Sequence, residues 1–336
     1  MEHSPPAVAV SEKFARRFAA DPRLNRGVMA FADFVAVALY DGEVGYYRSD
    51  RPRVGLAQDA DFYTAESLNL AFGPLIKAAV TTLVRPERAA NCEFVEVGAE
   101  PQRSVLKGVA HAFPRTRVIR LGEPISLRGE AIVFSNELFD AQPFHRIVHR
   151  HGGWKEIGVC LDGSNLGCVE LEIFSPEVQA LESRLPQNAP EGYVMDLPLR
   201  ARRLMEQIAT QSWNGLFVAF DYGRSWLQLA TEFPQGTARA YSGHRQSDDL
   251  LANPGTQDLT CHVCWDWLED VLRTAGFRSV SRESQEAFFV HHAADAIEAI
   301  MASEPNPLAR RRTQLKHLLH PGLMGQRFEA LWAVRD

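Results

Sequence analysis

Three short apolar runs limit this chain to a small group of folds. Glu93–Val97 (EFVEV), Arg117–Leu121 (RVIRL) and Ala131–Ser135 (AIVFS) have strand length and end at Gly98, Gly122 and Asn136. Between the first two, Gln102–Phe113 carries apolar residues at helical spacing, and Pro114 closes it. Strand, helix and strand in this rhythm predict a parallel, doubly wound α/β sheet. The connection from Gly122 to Glu130 is only nine residues, a shortened crossover. A later run, Gly215–Phe220, reads as a further strand and ends in Asp221-Tyr-Gly223.

The flanking sequence sorts around this sheet. Ser11–Tyr40 shows helical periodicity in two runs broken near Asp21-Pro22, and Glu66–Val84 predicts a helix that stops before Pro86. His145–His149, Trp154–Leu161 and Leu166–Phe174 read as three strands. The turn signals His151-Gly-Gly153 and Asp162-Gly-Ser-Asn165 separate them, so we expect an antiparallel β insertion on the sheet. Pro198–Ser212 and Cys261–Ala275 predict helices, and Phe277–Val290 offers two strands able to close the sheet as an antiparallel pair. The organisation expected is an N-terminal helical region (1–65), a first part of the core (66–143), the insertion (144–197), a second part of the core (198–290) and a C-terminal helical region (291–336).

Composition narrows the function. With 46% hydrophobic and 23% charged residues, 336 residues can bury a core without disulfide or metal staples. A formal charge of −6 gives no electrostatic footprint for nucleic acid and no polybasic membrane patch. No run approaches the roughly 18 apolar residues of a membrane span. The opening MEHSPPAVAV lacks the charged and apolar regions of a secretory signal. Five cysteines, three of them in strand-like contexts, suit buried thiols and a cytoplasmic location. Cys261 and Cys264 form a CxxC with no second ligand pair, so packing is the better reading and no metal ligand set is assigned.

In a doubly wound sheet, ligands bind outside the carboxyl ends of the strands. Three such ends carry polar residues here: Glu96 with Gly98, Asn136-Glu137, and Asp221-Tyr222-Gly223. Acids and amides there suit ribose hydroxyls or a cation, although strand-end Asp and Asn also cap helices.

Six ordered segments add specificity. They are Tyr40–Tyr47 (YDGEVGYY), Asp61–Ser67 (DFYTAES) with Phe72-Gly73, Ser135–Pro143 (SNELFDAQP), Asp221–Gly223, Gly236–Tyr241 with His244, and Gly255–Val263 (GTQDLTCHV). Together, over roughly Val28 to Phe277, they resemble the MidA-like family of S-adenosylmethionine (SAM)-dependent methyltransferases, which includes a mitochondrial protein-arginine methyltransferase. The resemblance implies a Rossmann-like class I methyltransferase sheet with SAM as cofactor. It assigns Thr64, Glu66, Glu96, Gly98, Glu123 and Asn136 to cofactor binding, and Glu137, Asp140 and His244 to the acceptor side. It also implies a protein substrate or partner, and it leaves a homo-oligomer open.

The chain departs from the family pattern where Glu100 and Gln102 stand in place of loop glycines, because a Cβ at a positive φ is strained. Ala65 replaces a usual proline, and the segment beyond Glu123 is short. Two readings follow: a methyltransferase acting on a protein side chain such as arginine, or a degenerate methyltransferase fold that serves as a binding or assembly factor. A Ser/His/Asp hydrolase is set aside, since no G-x-S-x-G follows a predicted strand.

Overall fold

A computed structural model describes residues 8–49 and 65–336. Its contacts divide the chain into two compact units: residues 1–62, 140–201 and 224–265 form the first, and residues 63–139, 202–223 and 266–336 the second.

The second unit is built on one six-stranded sheet. Its strands are β1 (Glu93–Val97), β2 (Arg115–Ile119), β3 (Gly129–Asn136), β4 (Trp213–Asp221), β5 (Arg278–Ser284) and β6 (Glu329–Arg335). They lie in the order β5-β6-β4-β3-β1-β2. β2, β1, β3 and β4 run parallel, with Val97 opposite Ser135 and Asn136 opposite Phe220, while β6 is antiparallel to both β4 and β5. Alternation decides the faces: Phe94, Ile132, Phe134, Leu216, Val218 and Phe220 project to one side into a single apolar cluster.

Helices cover that cluster. They are α1 (Asn69–Val84), α2 (Gln285–His292), α3 (Ala294–Ser303) and α4 (Arg310–Leu319), and they contribute Phe72, Leu75, Phe288, Phe289, Ile300 and Leu315. Pro74 lies inside α1 and lacks the amide that would bond the carbonyl four residues back. Arg311 Nε donates to that carbonyl, Leu70 O, at 3.0 Å. A side chain from α4 thus fills the gap that proline leaves in α1.

Two expectations fail in this unit. Gln102–Phe113 forms no helix; the connection from β1 to β2 is a string of turns. Gly108 takes φ +77°, and the Val105 amide bonds the Glu96 carboxylate instead of a carbonyl one turn back, so the helical ladder is interrupted twice. The antiparallel closure is also differently made. Only Arg278–Ser284 of the segment 277–290 is a strand; Gln285–His292 is helical, and the partner strand is the C-terminal Glu329–Arg335. Arg335 fixes this last strand by donating to the carbonyls of Ala209, Gln211, Trp213 and Ala275.

The first unit has its own sheets. Val8–Ala9, Val28–Ala30, His145–Arg150, Gly153–Asp162, Asn165–Glu170 and Val194–Leu197 pair antiparallel, and Arg239–Ser242 joins Arg245–Ser247 and Asp258–Thr260 in a smaller sheet. The strands of the expected insertion therefore do not extend the parallel sheet. His151 and Gly152, both at positive φ, turn the first of its hairpins. An aromatic cluster of Phe14, Phe18, Phe31, Phe34, Tyr46 and Phe144 packs beneath these strands.

Candidate functional site

The carboxyl ends of β1, β3 and β4 in the second unit bring several expected residues together. Glu96, on β1, is 1% exposed, and both its oxygens lie about hydrogen-bond distance from Val105 N, at 3.0 and 3.1 Å. Its charge is thus spent partly on tying down the turn segment that follows. Gly98, just past β1, takes φ +86°, and a Cβ there would meet Leu138 Cδ1 at 2.7 Å. Only glycine satisfies both constraints.

Asn136 ends β3 and Glu137 follows it at φ +49°, a conformation rare outside glycine. Three contacts hold it: Glu137 N donates to Phe220 O at 2.8 Å, Asn136 Nδ2 donates to Glu137 Oε1 at 3.0 Å, and Phe139 N donates to Asp221 Oδ2 at 2.9 Å. Asp221 is fully buried and also accepts from Tyr222 N at 2.9 Å. The Glu137 carboxylate is half-buried, so it is shielded from water without being sealed from it.

Among the described residues, Ser135 Oγ and Asn136 Oδ1 are buried at this strand end with no hydrogen-bond partner. Buried polar atoms are rarely left so, and these two oxygens can accept hydrogen bonds from a ligand. Beside the buried Glu96 carboxylate, these acceptors suit a ligand that carries an ammonium group. The glycine replacements prove tolerable for the backbone. Gln102 does take the strained conformation, at φ +62°, but its side chain is exposed, and Glu100 is half-buried. Gln102→Gly is accordingly expected to raise stability by about 1 kcal/mol, measured by urea denaturation, because glycine adopts this φ without penalty.

Other expected residues are placed differently. Glu123 is exposed beyond β2, and its carboxylate accepts from Arg120 N at 2.8 Å, closing a local turn. Thr64 and the side chain of Glu66 lie outside the described residues. Asp140 and His244 belong to the first unit. Asp140 is 3% exposed, and its carbonyl accepts from Cys261 N at 3.0 Å. Nearby, Tyr40 and Tyr47 stack at 5.4 Å, and Tyr47 Oη donates to Asp258 Oδ1 at 2.9 Å. Burial, with the charges of Asp258 and Asp140, holds both phenols well above their usual pKa. His244 sits with Gly243 at the exposed tip of a hairpin, both at positive φ. His262 is pushed down to about 3 by burial and by Arg224 and Arg239, so it is neutral at physiological pH.

The sequence reading did not anticipate the part of Val105, and it placed Asp221 at a strand end without its bracing role. Val105 supplies an amide to Glu96 from a segment expected to be helical, and Asp221 braces the turn that carries Glu137. A signal for Asp221 existed, since a carboxylate ending a wholly apolar strand must be bonded to survive burial.

A parallel sheet with glycine and acids at its carboxyl edge defines a Rossmann-like cofactor-binding protein. Residues 90–281, more than half of the chain, match the family described as S-adenosyl-L-methionine-dependent methyltransferases, and the chain belongs to that family. SAM is therefore its cofactor. Among curated proteins, it is similar to the mitochondrial protein arginine methyltransferase NDUFAF7 of Danio rerio, 24% identical over 90% of this chain and 82% of that protein. The Homo sapiens counterpart is 24% identical over 60% of this chain and 44% of its own length, so the match spans less than half of that relative. Among solved structures, a Burkholderia thailandensis protein bound to S-adenosyl-homocysteine superposes with a TM-score of 0.83 at 21% identity, covering 96% of this chain and 93% of that one. A second structure from that organism, a native crystal form, gives 0.79 at 20% identity, covering 96% of this chain and 92% of that one.

These relatives correct one expectation. The cytoplasmic location read from cysteine usage and the amino terminus is overturned, because the curated relatives are named as mitochondrial proteins. Buried thiols report a reducing environment, which does not specify a compartment. Among the described residues, no helix is long and apolar enough to cross a membrane.

Proposed function

We propose that this chain transfers the methyl group of SAM to an arginine side chain of a protein. The observation that carries the reading is the braced Glu137 carboxylate, half-buried one residue beyond the unpartnered Asn136 Oδ1. The names of the curated relatives support the arginine acceptor.

SAM, when bound, supplies an activated methyl group on a sulfonium. Glu96, Gly98 and Asn136 would hold it, with Glu123, Thr64 and Glu66 as further members of the cofactor set. The protein's own task is to make a poor nucleophile react. A guanidinium keeps its proton and spreads its charge over three nitrogens. A carboxylate that binds two of its N–H groups localises the charge and orients the remaining nitrogen. Glu137 takes that role, and its carboxylate can also receive the proton that the nitrogen sheds on methylation. Asp140, which belongs to the first unit, is given no step. We give His244, at the exposed tip of a hairpin in the first unit, no proton-transfer step.

Calorimetric titration with SAM and S-adenosylhomocysteine tests the cofactor half, and transfer of labelled methyl to arginine-containing peptides tests the acceptor half. Glu96→Gln keeps an acceptor for Val105 N while removing the charge, so SAM affinity is expected to fall about tenfold, some 1.4 kcal/mol. No binding at millimolar SAM would leave the chain a binding or assembly factor with a methyltransferase fold. Label appearing on lysine or histidine alone would displace arginine as the acceptor.

A further inference from the structure

The second unit holds a cluster that the transferase reading does not use. Glu283, near the end of β5, faces His291 and His292 in the last turn of α2. His292 Nε2 lies 2.9 Å from Glu283 Oε1, and His291 Nδ1 lies against Oε2. One ligand atom from each of the three residues falls within 4.8 Å of the others.

From this geometry we propose a divalent transition-metal site of the zinc class, with Glu283, His291 and His292 as its three protein donors. Several independent features point the same way. The donor set of two imidazoles and one carboxylate matches zinc chemistry and leaves a fourth position for water. Donors about 2.0–2.2 Å from a tetrahedral centre are separated by about 3.3–3.5 Å, so each histidine need only open from the carboxylate by less than about 1 Å to admit an ion. The carboxylate is already oriented from behind, because Trp332 Nε1 donates to Glu283 Oε1 at 2.9 Å. Such outer-shell donors are characteristic of metal carboxylates. His292 is held between the rings of Phe288, at 5.0 Å, and Trp332, at 5.5 Å. The carboxyl end of α2 favours a positive charge. His291 is 60% exposed, which gives an ion an entry path, whereas His292 and Glu283 are 17% and 18% exposed. A bound ion clips α2 to the edge strand of the sheet. The site is independent of the methyl-transfer reading.

The test is titration of the chelator-stripped full-length chain with zinc chloride at pH 7.5 by calorimetry, and with cobalt chloride by visible absorption. Expected are one equivalent of zinc per chain with Kd about 10 µM or tighter, and cobalt d–d bands of low-symmetry coordination. His291→Ala, at an exposed position that packing does not depend on, should weaken zinc at least about tenfold, and Glu283→Gln should do the same. Trp332→Phe should weaken it about tenfold with the stoichiometry unchanged, which a merely structural tryptophan would not do. Absence of saturable binding at about 100 µM zinc overturns the proposal. So does binding that His291→Ala and Glu283→Gln leave unchanged, since the ion would then sit elsewhere. Loss of folding in Glu283→Gln is covered by His291→Ala.

Discussion

Glu137→Ala is expected to lower turnover by about 10²- to 10⁴-fold, the range for a single group that stabilises and orients the reacting centre, while SAM affinity stays within about threefold. The separation follows from the geometry. Glu96, Gly98 and the unpartnered Ser135 and Asn136 atoms are at the β1 and β3 ends, and removing the Glu137 side chain leaves their backbone in place while freeing only the Asn136 Nδ2 that donates to it. Alanine meets the same steric penalty as glutamate at φ +49°, so the backbone strain of the turn is unchanged. Glu137→Gln is the sharper control, because it keeps size and one acceptor but loses the charge that localises the guanidinium. It should retain more activity than alanine and far less than wild type. Steady-state kinetics with saturating SAM, paired with calorimetry, reads both quantities. A parallel loss of SAM affinity and turnover in Glu137→Ala would place this carboxylate in the cofactor site and remove it from the acceptor role.

The strands and the chemistry of this protein were not equally legible. Glu93–Val97 was readable to the residue because an apolar run with sharp polar ends has one low-energy solution when both faces are buried. The same local logic failed at Gln102–Phe113. Its helical spacing is real, but Glu96 captures the Val105 amide from another element, and no local pattern reports that competition. The C-terminal strand Glu329–Arg335 was missed for a related reason. Its register is set by β4 and β5 on either side and by Arg335, whose carbonyl partners lie up to 126 residues away. At the carboxyl ends of β1 and β3, the placement of Glu96, Asn136 and Glu137 could be read, whereas the positive φ of Glu137 could not. The histidine pair was hidden by an error of element type: with 277–290 read as two strands, His291 and His292 fall outside any element that returns to Glu283.

Asp221→Ala tests what supports the Glu137 turn, and stability is expected to fall by about 2–4 kcal/mol. Asp221 is fully buried and accepts two backbone amides, from Phe139 and Tyr222. Each orphaned buried donor costs about 1–3 kcal/mol, and the Phe139 amide has no water to turn to because that residue is itself fully buried. Asp221→Asn keeps a single acceptor and sets an N–H₂ against an N–H, so its loss should be smaller but not zero. The second consequence is catalytic. A residue at φ +49° stores about 1 kcal/mol or more of strain, and the Phe139–Asp221 bond is one of the contacts that offset it. With that bond gone, the turn from Asn136 to Phe139 can relax and carry the Glu137 carboxylate away from the position its Asn136 contact defines. Turnover in Asp221→Asn, measured well below its melting temperature, should therefore fall further than the folded fraction accounts for, with SAM affinity retained. Wild-type turnover in a destabilised variant would show that Glu137 holds its geometry without Asp221, and that the buried carboxylate serves the fold alone.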